Sequence, residues 1–509
     1  MSLDKVLEIN TLAERLATLR AEGRRVVHCH GVFDPLHVGH MRYFEAAAKH
    51  GDVLVVTITP DRFVNKGPDR PVFTEALRAE AIAALSIVDF VAVNTWPTAT
   101  ETIKLLQPSV YAKGSDYKDA AKDRTGGIVL EREAVDAVGG KIVFTDELTF
   151  SASNLVNHHL GVHSDEVSTF LSDFSQRHTA DEVLGYLDGA RKLKVLVIGE
   201  TIIDEYQYCT AIGKSSKEPM LAVKRSNTET FAGGILAVGN HVANFSDNVS
   251  MVTQLGGRDS YADFIAHALS PKIQATYLRR MDAPTIVKRR FVESYYFHKL
   301  LEVYEMNDAP LTQEEDDILC STLRRTVPEF DVVIVVDFGH GMLSQNAIKT
   351  ICDNARFLTI NVQSNAGNLG YHTISRYPRA DYICVTESEI RLETRDKQAE
   401  IREMLRKIAR AMDCPRITIT RGKNGCLSYQ ACTEFYEAPA LAGHQQVVDR
   451  VGAGDAFLSV ASLCAAQGAP MDVVGFVGNA VGAQAVATVG NRNAVDRTVL
   501  LRHIESLLK

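Results

Sequence analysis

Gly31-Val32-Phe33-Asp34-Pro35-Leu36-His37-Val38-Gly39-His40 follows the apolar stretch Val26-Val27-His28-Cys29 and leads into a helix-like segment, Met41 to His50. A strand, a glycine-bearing turn and a helix in succession place an anion at a helix N-terminus. His37 and His40, three positions apart, can aim two imidazoles at one such anion, and Gly39 lets the backbone come close. Attack at the α-phosphorus of a nucleoside triphosphate builds charge on the non-bridging and leaving oxygens, and donors placed beforehand stabilise it. Two histidines that merely cap a helix would leave the same pattern.

Around this stretch the chain alternates between apolar bursts and helical segments. Strands are expected at Val26-Val27, Val53 to Ile58, Phe90 to Val93, Val110-Tyr111 and Ile142 to Phe144. Helices are expected at Met41 to Lys49, Thr74 to Leu85, Ala99 to Leu106 and Leu130 to Val138, after a short amphipathic helix carrying Leu7, Leu12, Leu16 and Leu19. The alternation predicts a parallel α/β domain of Rossmann-like type over residues 1–160, with its chemistry at strand C-termini. A polar stretch over 161–192, with Val167, Phe170, Leu171 and Phe174 at helical spacing, reads as a helical connector. A second α/β series occupies 193–509, with strands at Lys194 to Gly199, Val332 to Val336, Phe357 to Asn361, Tyr382 to Val385 and Ile417 to Thr420.

With 509 residues, more than one domain is expected. A hydrophobic fraction of 46% and a charged fraction of 23% are ordinary for globular proteins. The net charge of -8 gives no electrostatic footprint for nucleic acid, so the phosphates expected here are those of small molecules. Nine cysteines without a C-x-x-C pair suit neither a zinc site nor a disulfide framework and read as reduced thiols. Residues 1–20 carry charges throughout, and no stretch is apolar enough to span a bilayer, so a cytoplasmic location is expected.

Asp449-Arg450-Val451-Gly452-Ala453-Gly454-Asp455 precedes a second glycine turn and helix, Ala456 to Gln467. The N–H groups of Gly452, Ala453 and Gly454 can gather charge on a transferred phosphoryl group, while Asp455 can accept a proton from an attacking hydroxyl. A tight turn with a capping aspartate is the plainer reading.

The stretch Gly31 to His40 resembles the signature of cytidylyltransferase-like nucleotidyltransferases, which implies nucleotide binding through Gly31, Phe33, Asp34 and Gly39, with His37 and His40 catalytic. The later half resembles the ribokinase-like carbohydrate kinases over its whole length. Gly199-Glu200-Thr201-Ile202-Ile203-Asp204 is similar to that family's first-strand motif, in which Asp204 holds a sugar hydroxyl. Ala232-Gly233-Gly234 with Asn240 resembles its sugar-binding glycine pair and helix, and Thr420-Arg421-Gly422-Lys423-Asn424-Gly425 resembles its adenine-nucleotide loop, implying Thr420, Gly422 and Gly425. Asp455 is then the catalytic base, and Gly452, Ala453 and Gly454 its anion hole. The segment Asp204 to Val223 suits the small β-lid of such kinases, which often dimerises, so a homo-oligomer is expected. Lys288 and Arg290, on the strand-like Thr285 to Val292, are expected to bind a second phosphate carried by the sugar. Thr386-Glu387-Ser388-Glu389 departs from the family's Asn-x-x-Glu, leaving Glu389 to organise Mg²⁺ through water, and Glu200 replaces a more usual aspartate.

The pairing resembles the bifunctional enzymes of nucleotide-heptose synthesis, with the two domains in reversed order. Asn65 to Pro71 and Lys113-Gly114-Ser115-Asp116-Tyr117 are similar to stretches of those enzymes, implying roles for Lys66 in catalysis and for Lys113 and Asp116 in nucleotide binding, with Arg78 reaching the same pocket. Ser151 and Ser153 match a hydroxyl-bearing turn that meets the triphosphate. The resemblance implies a kinase converting heptose 7-phosphate to the 1,7-bisphosphate and a nucleotidyltransferase joining a sugar 1-phosphate to a nucleotide with release of pyrophosphate. It further implies Mg²⁺ as cofactor, ATP as substrate with CTP or GTP as alternative nucleotides, and a separate phosphatase between the two steps. The alternative is an active nucleotidyltransferase whose kinase-like half serves as a sugar-binding or dimerising module.

Overall fold

The computed structural model describes residues 3–64, 70–114, 127–145, 164–431, 435–442 and 447–509. The chain divides into two compact units, Met1–Ser168 with Leu501–Lys509, and Thr169–Leu500.

In the first unit, β1 (Val26–Gly31), β2 (Val53–Ile58), β3 (Phe90–Val93), β4 (Val110–Gly114) and β5 (Lys141–Thr145) form a parallel sheet in the order β3-β2-β1-β4-β5. Alternation along the strands sends Val27, Cys29, Leu54 and Val56 into a core with Phe44 of the helix Val38–Ala48. Val26, Val53 and Val55 pack on the opposite face with Ile9, Leu12 and Leu16 of the helix Ile9–Ala21. Each fully buried aliphatic side chain of this kind contributes about 1.5–3 kcal/mol, so both faces hold the sheet. The strand order reverses between β1 and β4, and the crevice at such a switch point, beyond the strand C-termini, is where α/β sheets bind ligands. The turn carrying His37 and His40 leaves from there.

The second unit has a nine-stranded sheet and a four-stranded one. The strands are β6 (Lys194–Gly199), β7 (Thr201–Lys214), β8 (Leu221–Gly234), β9 (Asn248–Arg258), β10 (Ile273–Pro284), β11 (Ile286–Glu293), β12 (Lys299–Glu305), β13 (Val332–Asp337), β14 (Leu358–Val362), β15 (Tyr382–Thr386), β16 (Arg416–Thr420), β17 (Cys426–Gln430) and β18 (Phe435–Ala438). The large sheet runs β10-β9-β6-β13-β14-β15-β16-β17-β18, parallel as far as β16 and antiparallel beyond it. Its central strands are almost wholly buried, as expected of parallel strands covered on both faces. The small sheet, β12-β11-β7-β8, is the lid. Pairing of Lys288 with both Asp204 and Tyr304, and of Arg290 with both Tyr206 and Glu302, puts these residues on one lid face.

Helices Asp165–Arg177 and Ala180–Gly189 fill the stretch read from the sequence as a connector. The second unit nevertheless begins at Thr169, because Phe174 packs on Phe476 with ring centres 4.5 Å apart and both Arg177 and His178 bind the buried carboxylate of Asp472. The sequence therefore hides a continuous packing surface beneath a polar composition.

Candidate active sites

In the first unit, His37 caps the helix Val38–Ala48, its Nδ1 accepting the N–H of Gly39 at 3.1 Å. This fixes the tautomer of a neutral ring, with the proton on Nε2. His40 stacks on His37 with ring centres 3.8 Å apart and meets the edge of Phe33 at 5.2 Å. Phe33, at φ 52°, lies beneath Gly31, where an added Cβ would stand 2.9 Å from its ring. Gly31 and Phe33 thus shape the turn that holds the two imidazoles, and Tyr43 O–H, donating to the Ala112 carbonyl at 2.7 Å, ties the helix to β4.

Three expected nucleotide contacts in this unit have other partners. Asp34 accepts the N–H groups of Val72 and Phe73 at 2.6 and 2.9 Å, fastening that loop beneath the histidine turn. Arg78 is buried and donates to the carbonyls of Phe73, Val32 and Thr59 and to Asp61 at 2.6 Å, so its guanidinium clamps three loops and does not reach a pocket. Lys113 is paired with the buried Glu131 at 2.8 Å, which neutralises the charge offered to a triphosphate. Lys66, Asp116, Ser151 and Ser153 lie outside the described residues. The sequence reading passed over His28 and His30, which share Thr57 as a hydrogen-bond partner at 2.7 and 2.8 Å, while His30 also meets Thr59 at 3.2 Å. Burial pushes His28 down to about 3 and His30 well below its ordinary value, so both are neutral. Their signal was the polar residues inside an otherwise apolar strand.

In the second unit, Asp455 sits in the first turn of the helix Ala453–Ala466, which begins at Gly452 with φ 83°. Glycine suits that left-handed φ, and a Cβ there would also stand 1.9 Å from Asn491 Oδ1. The first N–H groups of the helix have no partner within it and face toward its start, beside Asp455. Asp455 accepts from Gln363 Nε2 at 2.8 Å, and burial together with the charge of Asp204 pushes its carboxyl up to about 7. Asp204 is held by Arg290 at 2.5 Å and rests directly on Gly233, where a Cβ would stand 2.1 Å from its Oδ2. Gly234, at φ 54°, lets the chain turn at the end of β8 against the carbonyl of Glu200. Glu200 in turn accepts the N–H groups of Phe338 and His340, both at 3.0 Å; burial and the nearby Asp337 push it up to about 7.

Lys288 is buried on the same lid face, its ammonium 5.1 Å from the ring centre of Tyr304 and 5.5 Å from that of Phe338. It makes no hydrogen bond among the described residues, and burial lowers its pKa. Nearby, His340 is 3% exposed, its Nε2 lacking a partner among the described residues; burial pushes the ring down to about 3, so it is neutral.

Three other expected site residues have partners within the chain. Arg290 binds Glu302 at 2.7 Å as well as Asp204, so carboxylates occupy both of its ends and it does not offer a free phosphate contact. Asn240 donates to the Ala268 carbonyl at 2.9 Å and accepts the Ser270 N–H at 2.8 Å, closing the turn between the helix Ala262–Ala268 and β10. Glu389 accepts from the N–H and O–H of Thr386 and from the N–H of Ser364, at 2.7, 2.9 and 2.9 Å. With Thr386 it forms a reciprocal capping box, which explains a threonine where the family pattern has asparagine and leaves little of Glu389 for a metal shell. Among the described residues no cluster of three metal-ligating side chains occurs. At the end of β16, Gly422 and Gly425 adopt φ 57° and 72°, and Gly425 lies against the Ala438 carbonyl, where a Cβ would stand 2.0 Å away. Thr420 ends the strand that presents this loop.

Two stability predictions follow from these partners. Arg78→Ala removes the donors to three carbonyls and the cation beside Asp61 and is expected to destabilise the first unit by about 2 kcal/mol or more, measured by denaturant unfolding. A role confined to ligand contact would leave stability unchanged. Asp455 has a folded pKa raised to about 7 against about 3.9 when unfolded, so its ionisation withdraws stability as pH rises between those values. The melting temperature of Asp455→Asn minus that of the wild type is therefore expected to increase from pH 4 to pH 8; a difference independent of pH would contradict the burial.

Residues 192–498 match the pfkB family carbohydrate kinase profile, and residues 28–156 match the cytidylyltransferase-like profile. The bifunctional protein HldE of Methylobacillus flagellatus is 40% identical over 156 residues, covering 30% of this chain and 30% of that protein. The HldE of Bradyrhizobium sp. (strain ORS 278) is 42% identical over 148 residues, covering 28% of this chain and 29% of its own length. The chain thus spans under a third of the curated relatives it matches. Among solved structures, phosphofructokinase-2 from Escherichia coli in complex with substrates and products aligns with a TM-score of 0.50 at 12% identity, over 60% of this chain and 97% of that one. Arabidopsis thaliana ribokinase complexed with ribose and ATP aligns with a TM-score of 0.48 at 16% identity, over 62% of this chain and 99% of that one. The chain belongs to the pfkB family of carbohydrate kinases and carries a cytidylyltransferase-like nucleotidyltransferase domain ahead of its kinase domain.

Proposed function

We propose that the protein is a bifunctional enzyme of nucleotide-sugar synthesis. Its second unit phosphorylates a sugar phosphate, heptose 7-phosphate to the 1,7-bisphosphate, and its first unit joins a sugar 1-phosphate to a nucleoside triphosphate with release of pyrophosphate. The observation that carries the kinase reading is Asp455: a buried carboxyl raised to about 7, in the first turn of a helix and electrostatically coupled to Asp204. Such a group accepts a hydroxyl proton at neutral pH, and the amides of Gly452, Ala453 and Gly454 gather the charge of the phosphoryl group being transferred. Asp204, oriented by Arg290, holds the sugar hydroxyls. For the first unit, the stacked His37 and His40 at a helix N-terminus support stabilisation of charge at an α-phosphate.

The phosphate already on the sugar falls to Lys288 and His340. Lys288 is a buried cation without a hydrogen bond among the described residues, and the neutral ring of His340 leaves Nε2 to serve a ligand oxygen. Mg²⁺ suits a site with few carboxylates when it arrives on nucleotide phosphates, which supply much of its shell. The bisphosphate must lose one phosphate to a separate phosphatase before the first unit can use it. Self-association is assigned to the lid, whose strands carry Ile212, Leu221 and Leu301 at 69%, 53% and 60% exposure.

Incubation with Mg²⁺, ATP and heptose 7-phosphate is expected to give ADP and a bisphosphate by mass spectrometry. Asp455→Ala is expected to abolish both while pyrophosphate release from heptose 1-phosphate and nucleoside triphosphates continues; His40→Ala is expected to do the reverse. Absence of a bisphosphate from the wild type would remove the heptose assignment. Lys288→Met is expected to raise KM for the sugar phosphate about tenfold or more, given about 1.5–3 kcal/mol for a hydrogen bond to a charged group, with KM for ATP little changed. Equal effects on both constants would contradict the subsite.

A further inference from the structure

Asp449 opens the turn leading into the helix Ala453–Ala466, and its side chain is wholly shielded from solvent. Four donors converge on its carboxylate. Oδ1 accepts from Lys299 Nζ at 2.5 Å and from the Val451 N–H at 3.1 Å, while Oδ2 accepts from the Tyr206 O–H at 2.7 Å and the Gly490 N–H at 3.0 Å. Two donors come from the lid, Lys299 on β12 and Tyr206 on β7. The other two belong to the turn itself and to the loop that begins at Gly490.

That loop touches the amide cradle directly. Asn491 Oδ1 occupies the space beside Gly452 that any side chain would need. The next residue, Arg492, forks onto Glu229 of lid strand β8 at 2.7 and 2.8 Å, and Glu229 also accepts from Tyr208 at 2.6 Å. Lid, loop and turn therefore form one hydrogen-bonded body with Asp449 at its centre. Lys299 supplies the cation in contact with this buried carboxylate, and its ammonium lies 5.5 and 5.4 Å from the ring centres of Tyr206 and Phe297. Removing one partner of a buried ion pair leaves a charge that the surroundings must move to accommodate. The turn that presents Gly452 to Gly454 is bonded to this carboxylate through the Val451 N–H.

We infer that Lys299 is a positioning residue which couples the seating of lid strand β12 to the assembly of the Gly452–Gly454 amide cradle. With Lys299 on Asp449 the turn is set for phosphoryl transfer; without it the cradle loses its shape, although Lys299 touches neither reacting group. The inference rests on the kinase reading proposed for the second unit.

The test uses the full-length protein with Lys299→Ala, Lys299→Arg and Asp449→Asn. For Lys299→Ala, kcat for sugar-phosphate-dependent ADP formation is expected to fall about 100-fold, as for loss of one preorganised anion-hole donor, while KM for the sugar phosphate changes much less. Lys299→Arg is expected to keep most of kcat, and added ethylammonium to restore part of it to Lys299→Ala, a rescue that a purely structural role would not give. Hydrogen exchange read by mass spectrometry is expected to show faster exchange of the backbone over 449–456 in Lys299→Ala and Asp449→Asn, and near wild-type exchange in Lys299→Arg. Wild-type kcat with unchanged exchange over that segment in Lys299→Ala would overturn the inference. Should Lys299→Ala not fold, Lys299→Met retains the apolar stem and is judged by the same two readings. If the wild type makes no ADP from any sugar phosphate, the kinase reading fails, and the exchange comparison alone decides: lost protection over 449–456 supports the coupling, unchanged protection refutes it.

Discussion

Glu200, Asp204, Asp337, Asp449 and Asp455 are among the carboxylates buried in the second unit, and the demand that each be satisfied organises much of what surrounds them. A buried carboxylate without donors is costly, and two close together are costlier still. Asp204 and Asp449 are answered by cations, Arg290 and Lys299. Asp337 is answered by His372, Arg376 and the Tyr377 hydroxyl. Glu200 receives only backbone N–H groups, and Asp455 has Gln363, so these two remain raised to about 7. The distribution of donors separates the carboxylates paired with cationic side chains from the two carboxyls raised to about 7.

That division explains how structure and chemistry share the cleft. Arg290 pairs with Asp204, which rests against Gly233, and Lys288 stands on the lid face without a hydrogen bond among the described residues. In the first unit the same economy appears around the histidine turn. Asp34 and Arg78 fasten loops, and the imidazoles of His37 and His40 stand at the helix start.

Much of this was legible in the sequence because periodicity and glycine positions are local properties. The apolar bursts of β1 to β4 and of β6, β13, β14, β15 and β16 read directly as strands, and the two glycine turns identified both helix starts. What the sequence could not display was the partner of each charged residue. Lys113 reads as a phosphate ligand until Glu131, eighteen positions away on a helix, is seen to neutralise it. Asn240 and Glu389 bear the residue types a sugar or metal would need, yet both are held by backbone groups of neighbouring turns. Conversely, His340 carried no motif, and Asp449 opened the quoted glycine turn with no role given to it; only the convergence of distant segments reveals what each does.

The central claim is that Asp455 is a buried base whose protonation governs the kinase cleft, and the pH dependence of kcat/KM for sugar-phosphate-dependent ADP formation tests it most directly. The account predicts activity that rises with pH through a single ionisation near 7, the value to which burial and Asp204 push this carboxyl. A profile that stays flat down to pH 5 would contradict it, since a carboxyl with an ordinary pKa would already be ionised there.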